Sequence, residues 1–286
     1  MKNTQKLKKL LESPGIIMAP GAYDCLSAKI IQQAGFNAVY VTGYGLSASY
    51  IGEPDVGLMS LKEMVDNISR ICDAVDIPVI ADADTGYGSP LNVARTVRLY
   101  EKAGAAAIQL EDQEFPKRCG HMEGKRVIEA GEFVNKIRAA VDARHDPDFL
   151  IIARTDARAV FGLDEAIHRG QLYADAGADV IFVEAPLSVK EFQKIAESID
   201  TPLLANMAEG AKSPMLSADE LEKIGYKIVI YPVGTLFAAA HAIKQVALEI
   251  KRKGTDKGLL MKMETFSGFN ELMGLKKHLE FSEKFS

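Results

Sequence analysis

The chain contains no apolar run approaching the roughly 18 residues needed to cross a bilayer, so a membrane-spanning helix is not expected. It also lacks a basic surplus. Its 34 Lys and Arg against 39 Asp and Glu leave a formal charge of −5, which argues against nucleic acid or an anionic membrane as the main partner. Cysteine is scarce: Cys25, Cys72 and Cys119 are too few and too widely spaced for a disulfide scaffold, and their odd number raises the question of a reactive thiol. Gly and Pro are scattered without period, which excludes collagen-like and low-complexity classes. No Pro/Ser-rich stretch or block of like charge marks a linker. The N-terminal segment MKNTQKLKKLLESPG has positive charge but no apolar core of the signal-peptide kind. A cytoplasmic protein is expected, or an organellar one if a longer precursor was trimmed. What remains is ordinary: 286 residues, 48% hydrophobic and 26% charged, enough to build a sizeable core.

A repeated pattern organises that material. Short apolar runs occur at Ile16–Ala19, Ala38–Val41, Pro78–Ala81, Ala106–Leu110, Phe149–Ala153, Val180–Val183, Pro202–Ala205 and Ile228–Tyr231. Being apolar at consecutive positions, they fit strands buried on both faces, as in a parallel sheet. Helical patterns lie between them, at Leu61–Ala74, Leu91–Ala103, Glu132–Ala143 and Leu163–Ala176. Several end in Ala-Gly, which suits a helix C-cap. Eight βα units without interruption predict a (β/α)8 TIM-type barrel, with a doubly wound sheet as the alternative. The whole chain, 1–286, is expected to be one barrel domain. Residues 1–14 would be an N-terminal amphipathic helix and 254–286 a C-terminal helical arm. That arm, preceded by helix at Ala238–Lys253, exceeds what eight units require. It would either pack on a neighbouring subunit or fold back on its own barrel.

In a barrel of this kind the active site sits where strands pass into their βα loops. Polar residues concentrate there: Thr42-Gly43-Tyr44, Asp82-Ala83-Asp84, Glu111-Asp112-Gln113, Arg154-Thr155-Asp156, Glu184, and Asn206 with Glu209. Helix capping could explain one or two of them, but not five strand ends in succession. Asp82 and Asp84 share one side of a strand by period two, and Glu111 follows on the adjacent strand. Such a cluster is repulsive without a cation, and its all-oxygen chemistry favours Mg²⁺, with Mn²⁺ possible, over Zn²⁺. The plainer reading is that one of these carboxylates merely pairs with Arg154.

A second constellation, Pro116-Lys117-Arg118-Cys119-Gly120-His121, lies in the loop after the fourth strand. A cysteine flanked by Lys117, Arg118 and His121 stands in a positive field, which favours proton exchange at its thiol. Gly120 and Gly124 give the segment freedom to close over a substrate. A lone cysteine is more commonly a small buried hydrophobe; that reading suits Cys25 and Cys72, inside helical patterns, better than Cys119 in a charged loop. The string from Gly43 to Ala48 matches a dinucleotide fingerprint only loosely, since the acidic residue beyond it, Glu63, falls in a helix. Its glycines suit close approach of backbone N–H groups to a carboxylate.

These segments together resemble the isocitrate lyase/phosphoenolpyruvate mutase superfamily. The resemblance runs from about Ala19 to the C-terminus. It is carried by the segment 116–121 together with Asp82–Gly86, Leu110–Gln113, Ala153–Ala157 and Ala205–Met207. The Lys-Arg-Cys-Gly-His string points to the carbon–carbon lyase branch, in the 2-methylisocitrate lyase/2,3-dimethylmalate lyase group. It implies a (β/α)8 barrel whose last helix is exchanged within a homotetramer, and a small dicarboxylate substrate. Two departures bear on that substrate. Phe237 stands where methylisocitrate lyases carry an arginine that helps hold a third carboxylate, and Tyr44 follows Thr42-Gly43 where tricarboxylate enzymes tend to have Ser-Gly-Gly. A third carboxylate buried beside Phe237 would be costly.

The resemblance therefore implies cleavage of a 2-alkylmalate such as 2,3-dimethylmalate to pyruvate and propionate. The alternatives are 2-methylisocitrate cleavage and oxaloacetate hydrolysis or decarboxylation. In this reading Asp82, Asp84, Glu111 and Asp55 surround the metal. Cys119 donates the proton, with Lys117, Arg118 and His121 tuning it and capping the site. Thr42, Gly43, Tyr44, Asp82, Arg154, Glu184, Asn206 and Phe237 meet the substrate, and Arg154 and Glu184 also belong to the catalytic set.

Overall fold

The computed structural model describes residues 1–120 and 122–286, in two compact units, Met1–Thr235 and Leu236–Ser286. The first unit is a closed barrel of eight parallel strands. They are β1 (Ile17–Ala22), β2 (Val39–Val41), β3 (Val79–Asp82), β4 (Ala107–Glu111), β5 (Leu150–Thr155), β6 (Val180–Val183), β7 (Leu203–Asn206) and β8 (Ile228–Tyr231). Each pairs with the next and β8 closes on β1, with Ile17 opposite Ile228. The doubly wound alternative is thereby excluded.

All eight apolar runs became strands, because residues of alternating direction are buried on both faces. Val39, Val41, Val79, Ala81, Ile108, Leu110, Ile151 and Ile181 pack outward beneath the helices. Tyr40, Ile80, Leu150, Ile152, Val180, Phe182, Leu204 and Ile228 fill the barrel interior. The helix Asn3–Glu12 adds fully buried Leu7 to that interior cluster, with Leu10 and Leu11 against it. The helix Leu61–Ala74 has the predicted bounds. Ser60 caps it, its hydroxyl accepting from Glu63 N–H while the Glu63 carboxylate takes the Ser60 N–H.

Beyond β8, the helix Gly234–Lys253 is followed by the turn Lys257–Lys262 and the helices Phe266–Leu272 and Leu275–Glu283. The last two are divided at Gly274, whose φ of 77° a residue with a side chain rarely adopts. Within these segments no residue is buried, and Ile243, Phe266 and Phe281 are largely exposed.

Candidate active site

Barrel register assembles the polar ring. Interior positions recur every second residue, so Asp82 continues the interior file above Ile80, Arg154 above Ile152 and Glu184 above Phe182. Pairing sets Asp82 beside Gln109 and Glu111 beside Arg154. Apolar side chains thus floor the barrel, and the charged groups lie at its C-terminal mouth, buried: Asp82, Glu111, Arg154 and Glu184 are at most 7% exposed.

Asp82 is held by the backbone of two loops and by a side chain. Gly43 N–H donates to Oδ2 at 3.2 Å, Asp84 N–H to Oδ1 at 3.1 Å, and Gln109 Nε2 to Oδ1 at 3.4 Å. Gly43 is required for this approach, since a Cβ there would lie 2.7 Å from Asp82 Oδ2. Asp84 does not share a strand face with Asp82 as period two predicted. The strand ends at Asp82, and Asp84 adopts a φ of 48°, which turns its carboxylate into the mouth by a local bend.

There it meets Lys117. The Lys117 Nζ lies 2.6 Å from Asp84 Oδ1 and 2.6 Å from Asp55 Oδ1, with all three side chains nearly excluded from water. Burial opposes the ammonium charge, but Asp84, Asp55, Glu111 and Asp82 together hold Lys117 well above its ordinary range. Lys117 therefore offsets part of the charge of the acidic cluster. Cys119 is placed by backbone: its N–H donates to Asp55 O at 3.2 Å. Tyr44 lies close by. Burial raises its hydroxyl pKa, and Cys119 and Asp55 add to the effect.

Arg154 is the hub of the opposite side. Its Nε and Nη2 donate to Asp156 Oδ2 and Oδ1 at 2.9 and 3.0 Å, Nη1 lies 3.3 Å from Glu184 Oε2, and Nε lies 3.5 Å from Glu111 Oε2. The guanidinium stands 5.0 Å above the Phe182 ring. Asn206 Nδ2 donates to Glu184 at 3.3 Å, fixing that carboxylate in turn. The residue after Glu184, Ala185, has a φ of 57°, where the chain turns out of β6.

Beyond β4 the base of a hairpin is closed by a Gln113–Val127 bridge and by Glu114 N–H to Arg126 O at 2.8 Å. A Cβ at Gly120 would overlap Arg154 Nη2 and approach Glu184 Cδ to 2.8 Å, so the loop backbone rests directly on both residues. Gly120 is needed here for close approach and not as a hinge. Arg118 departs from expectation. It is exposed, and its Nη1 donates to Glu123 O at 2.9 Å, so it braces the hairpin from outside. Thr42 accepts from Gly45 N–H as the cap of the helix Gly43–Leu46. His121 lies outside the described residues, and Phe237 belongs to the second unit.

The family follows from a match along most of the chain. A sequence profile described as Phosphoenolpyruvate phosphomutase fits residues 7–251. The chain belongs to the phosphoenolpyruvate mutase/isocitrate lyase superfamily. Within the superfamily it is 50% identical to a 2,3-dimethylmalate lyase of Eubacterium barkeri, over 100% of this chain and 99% of the relative. It is 47% identical to a 2-methylisocitrate lyase of Aeropyrum pernix, over 97% and 91%. A crystal structure of 2,3-dimethylmalate lyase superposes with a TM-score of 0.94 at 38% identity, covering 100% of this chain and 96% of that one. A phosphonopyruvate hydrolase solved with oxalate and Mg²⁺ superposes with a TM-score of 0.90 at 34% identity, covering 100% and 99%.

The donor set suits the cation present in that superfamily relative. Asp82, Asp84 and Glu111 offer only oxygen, and Glu111 Oε1 is buried without a hydrogen-bond donor. Burial raises Glu111 well above the carboxylate range and Asp84 to about 6, as expected of buried acids that lack enough positive charge. Among the described residues no three His, Cys, Asp or Glu side chains converge closely enough to cage an ion unaided. Mg²⁺ keeps several waters and takes few direct carboxylates, so a partial set of protein oxygens is compatible with it.

Residues that the sequence left unassigned complete the site. Asp112, fully buried, accepts from Thr155 Oγ1 at 2.7 Å, Asp156 N–H at 2.9 Å and Tyr173 OH at 2.8 Å, and pairs with Arg169 at 3.1 Å. It thereby fixes the turn that carries Asp156. Lys125 reaches Asp156 Oδ1 at 2.9 Å. The sequence displayed Asp112 and Asp156 at strand ends, but only barrel closure shows which partner each meets.

Proposed function

We propose that this chain is a carbon–carbon lyase that cleaves a 2-alkylmalate such as 2,3-dimethylmalate to pyruvate and propionate. The observation that carries the reading is the seating of the Cys119 loop on Arg154 and Glu184, in a chain half identical to a 2,3-dimethylmalate lyase along its whole length. In this reading Cys119, next to Gly120 on that loop, is the donor for α-carbon protonation of a substrate whose carboxylate Arg154 holds.

Asp82, Asp84 and Glu111, in part through water, are the groups that would hold Mg²⁺. When bound, Mg²⁺ supplies positive charge that eases ionisation of the substrate 2-hydroxyl. Arg154, steadied by Asp156 and Glu184, binds a substrate carboxylate, and the Gly43-Tyr44 segment lines the other end. The hydroxyl proton leaves to the carboxylates around Lys117. The C2–C3 bond then breaks, its electron pair passing to C3 beside the remaining carboxylate, and Cys119 gives C3 its proton. The seated hairpin keeps water from competing for that carbanion. Asp55 supports Lys117 and the Cys119 backbone.

Phe237 in place of a cation is the reason to prefer a dicarboxylate, and the 47% identity to a 2-methylisocitrate lyase keeps the tricarboxylate as the second reading. The proposal includes a cytoplasmic homotetramer of single-barrel protomers. Exchange of the last barrel helix would cover the apolar side chains exposed along Gly234–Glu283. No helix among the described residues is long and apolar enough to cross a membrane. Assaying pyruvate release from 2,3-dimethylmalate, other 2-alkylmalates and 2-methylisocitrate, and oxalate or CO₂ release from oxaloacetate, tests the reading. The highest kcat/KM is expected on a 2-alkylmalate. A higher value on 2-methylisocitrate overturns the substrate, and no turnover on any of them overturns the lyase.

A further inference from the structure

We propose that Lys125 is a positioning residue of this site, a staple that fixes the Cys119–Gly120 segment over Arg154 and leaves the Arg154 charge available to a substrate carboxylate. The inference rests on the lyase reading and goes beyond it to a residue with no assigned role there.

The Lys125 side chain is only 3% exposed, although it sits in a loop. A buried ammonium is costly unless its charge and its hydrogens are satisfied. Two acceptors meet it. Asp156 Oδ1 lies at 2.9 Å, and the Gly120 carbonyl accepts a second hydrogen bond from the same Nζ. Lys125 thus joins a barrel strand end to the residue that follows Cys119. With the Cys119 N–H on Asp55 O, the cysteine is held from both sides along the backbone.

The same contact divides a charge. Asp156 Oδ1 accepts from Lys125 Nζ and from Arg154 Nη2 at 3.0 Å, so one carboxylate serves two cations. Around Arg154 stand Asp156, Glu184 and Glu111. Without Lys125 these acids would neutralise the guanidinium and weaken its hold on an incoming carboxylate. With Lys125 in place, Asp156 remains an orienting partner while part of its charge is offset. Arg169 supports the return of the hairpin by donating to Ile128 O at 2.8 Å, so Lys125 acts from a fixed base.

The test uses full-length, Mg²⁺-loaded protein and the variants Lys125→Met and Lys125→Arg. It reads kcat, KM, Tm and the rate at which iodoacetamide modifies Cys119, with Cys25 and Cys72 as internal controls. A misplaced donor costs on the order of 100-fold in rate, so Lys125→Met should lose about that much kcat while staying folded. It should also expose Cys119 to faster modification, with Cys25 and Cys72 unchanged. Lys125→Arg, which keeps charge and donors, should recover part of both. Equal Cys119 modification in Lys125→Met and the parent overturns the staple, as does a rise shared by Cys72, which would mark general loosening. A parent protein inactive on every substrate defeats the lyase reading alone, and the modification rates still decide the role of Lys125.

Discussion

Arg154 and Asp156 are joined by two parallel hydrogen bonds, Nε to Oδ2 at 2.9 Å and Nη2 to Oδ1 at 3.0 Å, with both side chains buried. They lie two residues apart where β5 ends, yet their geometry is set from elsewhere. Asp112 of the neighbouring strand end takes the Asp156 N–H and the Thr155 hydroxyl, and Tyr173 and Arg169 fix Asp112 from the helix Leu163–Asp175. A planar guanidinium gripped in this way has no rotational freedom to lose when it binds a carboxylate, which is how a rigid scaffold makes a precise site.

Replacing Asp156 with Asn leaves Lys125 and Arg154 buried with one fewer counter-charge. A loss of about 3 kcal/mol at neutral pH is expected, measurable by urea unfolding. The loss depends on pH in a definite direction. Burial opposes the Asp156 charge, but Arg154 and Lys125 outweigh it and hold the carboxyl below its ordinary range. A depressed pKa stabilises the fold above the unfolded value near 4, and that stability fades as pH falls toward the folded value. The gap between parent and Asp156→Asn should therefore be widest at neutral pH and narrow below about pH 4. A gap that widens on acidification contradicts the assignment.

Much of the fold was legible, for a physical reason. Strands buried on both faces must be apolar at consecutive positions, so the runs around Ile151 and Ile181 stand out in one dimension. Strand ends shift by as much as three residues, at β1, because hydrogen bonding, not composition, terminates a strand. The candidate site was legible as residue types but not as pairs. Nothing local to Lys117 says that it will neutralise Asp55 and Asp84, or that Arg118 beside it will face solvent. Those outcomes depend on the hairpin closing onto the barrel, a contact between segments distant in sequence. Asp84 shows the limit of periodicity: the rule of two fails as soon as the strand stops at Asp82.

Gly120→Ala tests the seating of the hairpin. The added methyl would overlap the Arg154 guanidinium and crowd Glu184, so the loop must lift. Turnover should fall about 100-fold, as for misplaced catalytic groups, while Tm changes little because the barrel core is untouched. Parent-like kcat in this variant would mean that the seated loop is not the productive state.

Removal of Mg²⁺ tests the acidic cluster without any substitution. EDTA should abolish turnover and Mg²⁺ restore it, and Mg²⁺ should also raise Tm in the absence of substrate by binding only the folded chain. Glu111→Gln should increase the Mg²⁺ concentration needed for half-maximal effect on Tm by about tenfold or more. If chelation changes neither activity nor Tm, Lys117 alone balances these carboxylates.

Cys119→Ala separates binding from chemistry. The variant keeps the backbone N–H that donates to Asp55 O and keeps every charged group of the ring, so the substrate should bind much as in the parent. It loses the group proposed to give C3 its proton, and general acid catalysis of this kind is worth roughly 100- to 10,000-fold. A fall in kcat of that order, with KM close to the parent value, is the expected split. Solvent deuterium sharpens it, because propionate formed in D₂O by the parent should carry one deuteron at C2 with a single facial preference. A residual reaction in Cys119→Ala that draws its proton from water should lose that preference. Retained stereochemistry at near-parental kcat would assign the proton to another residue.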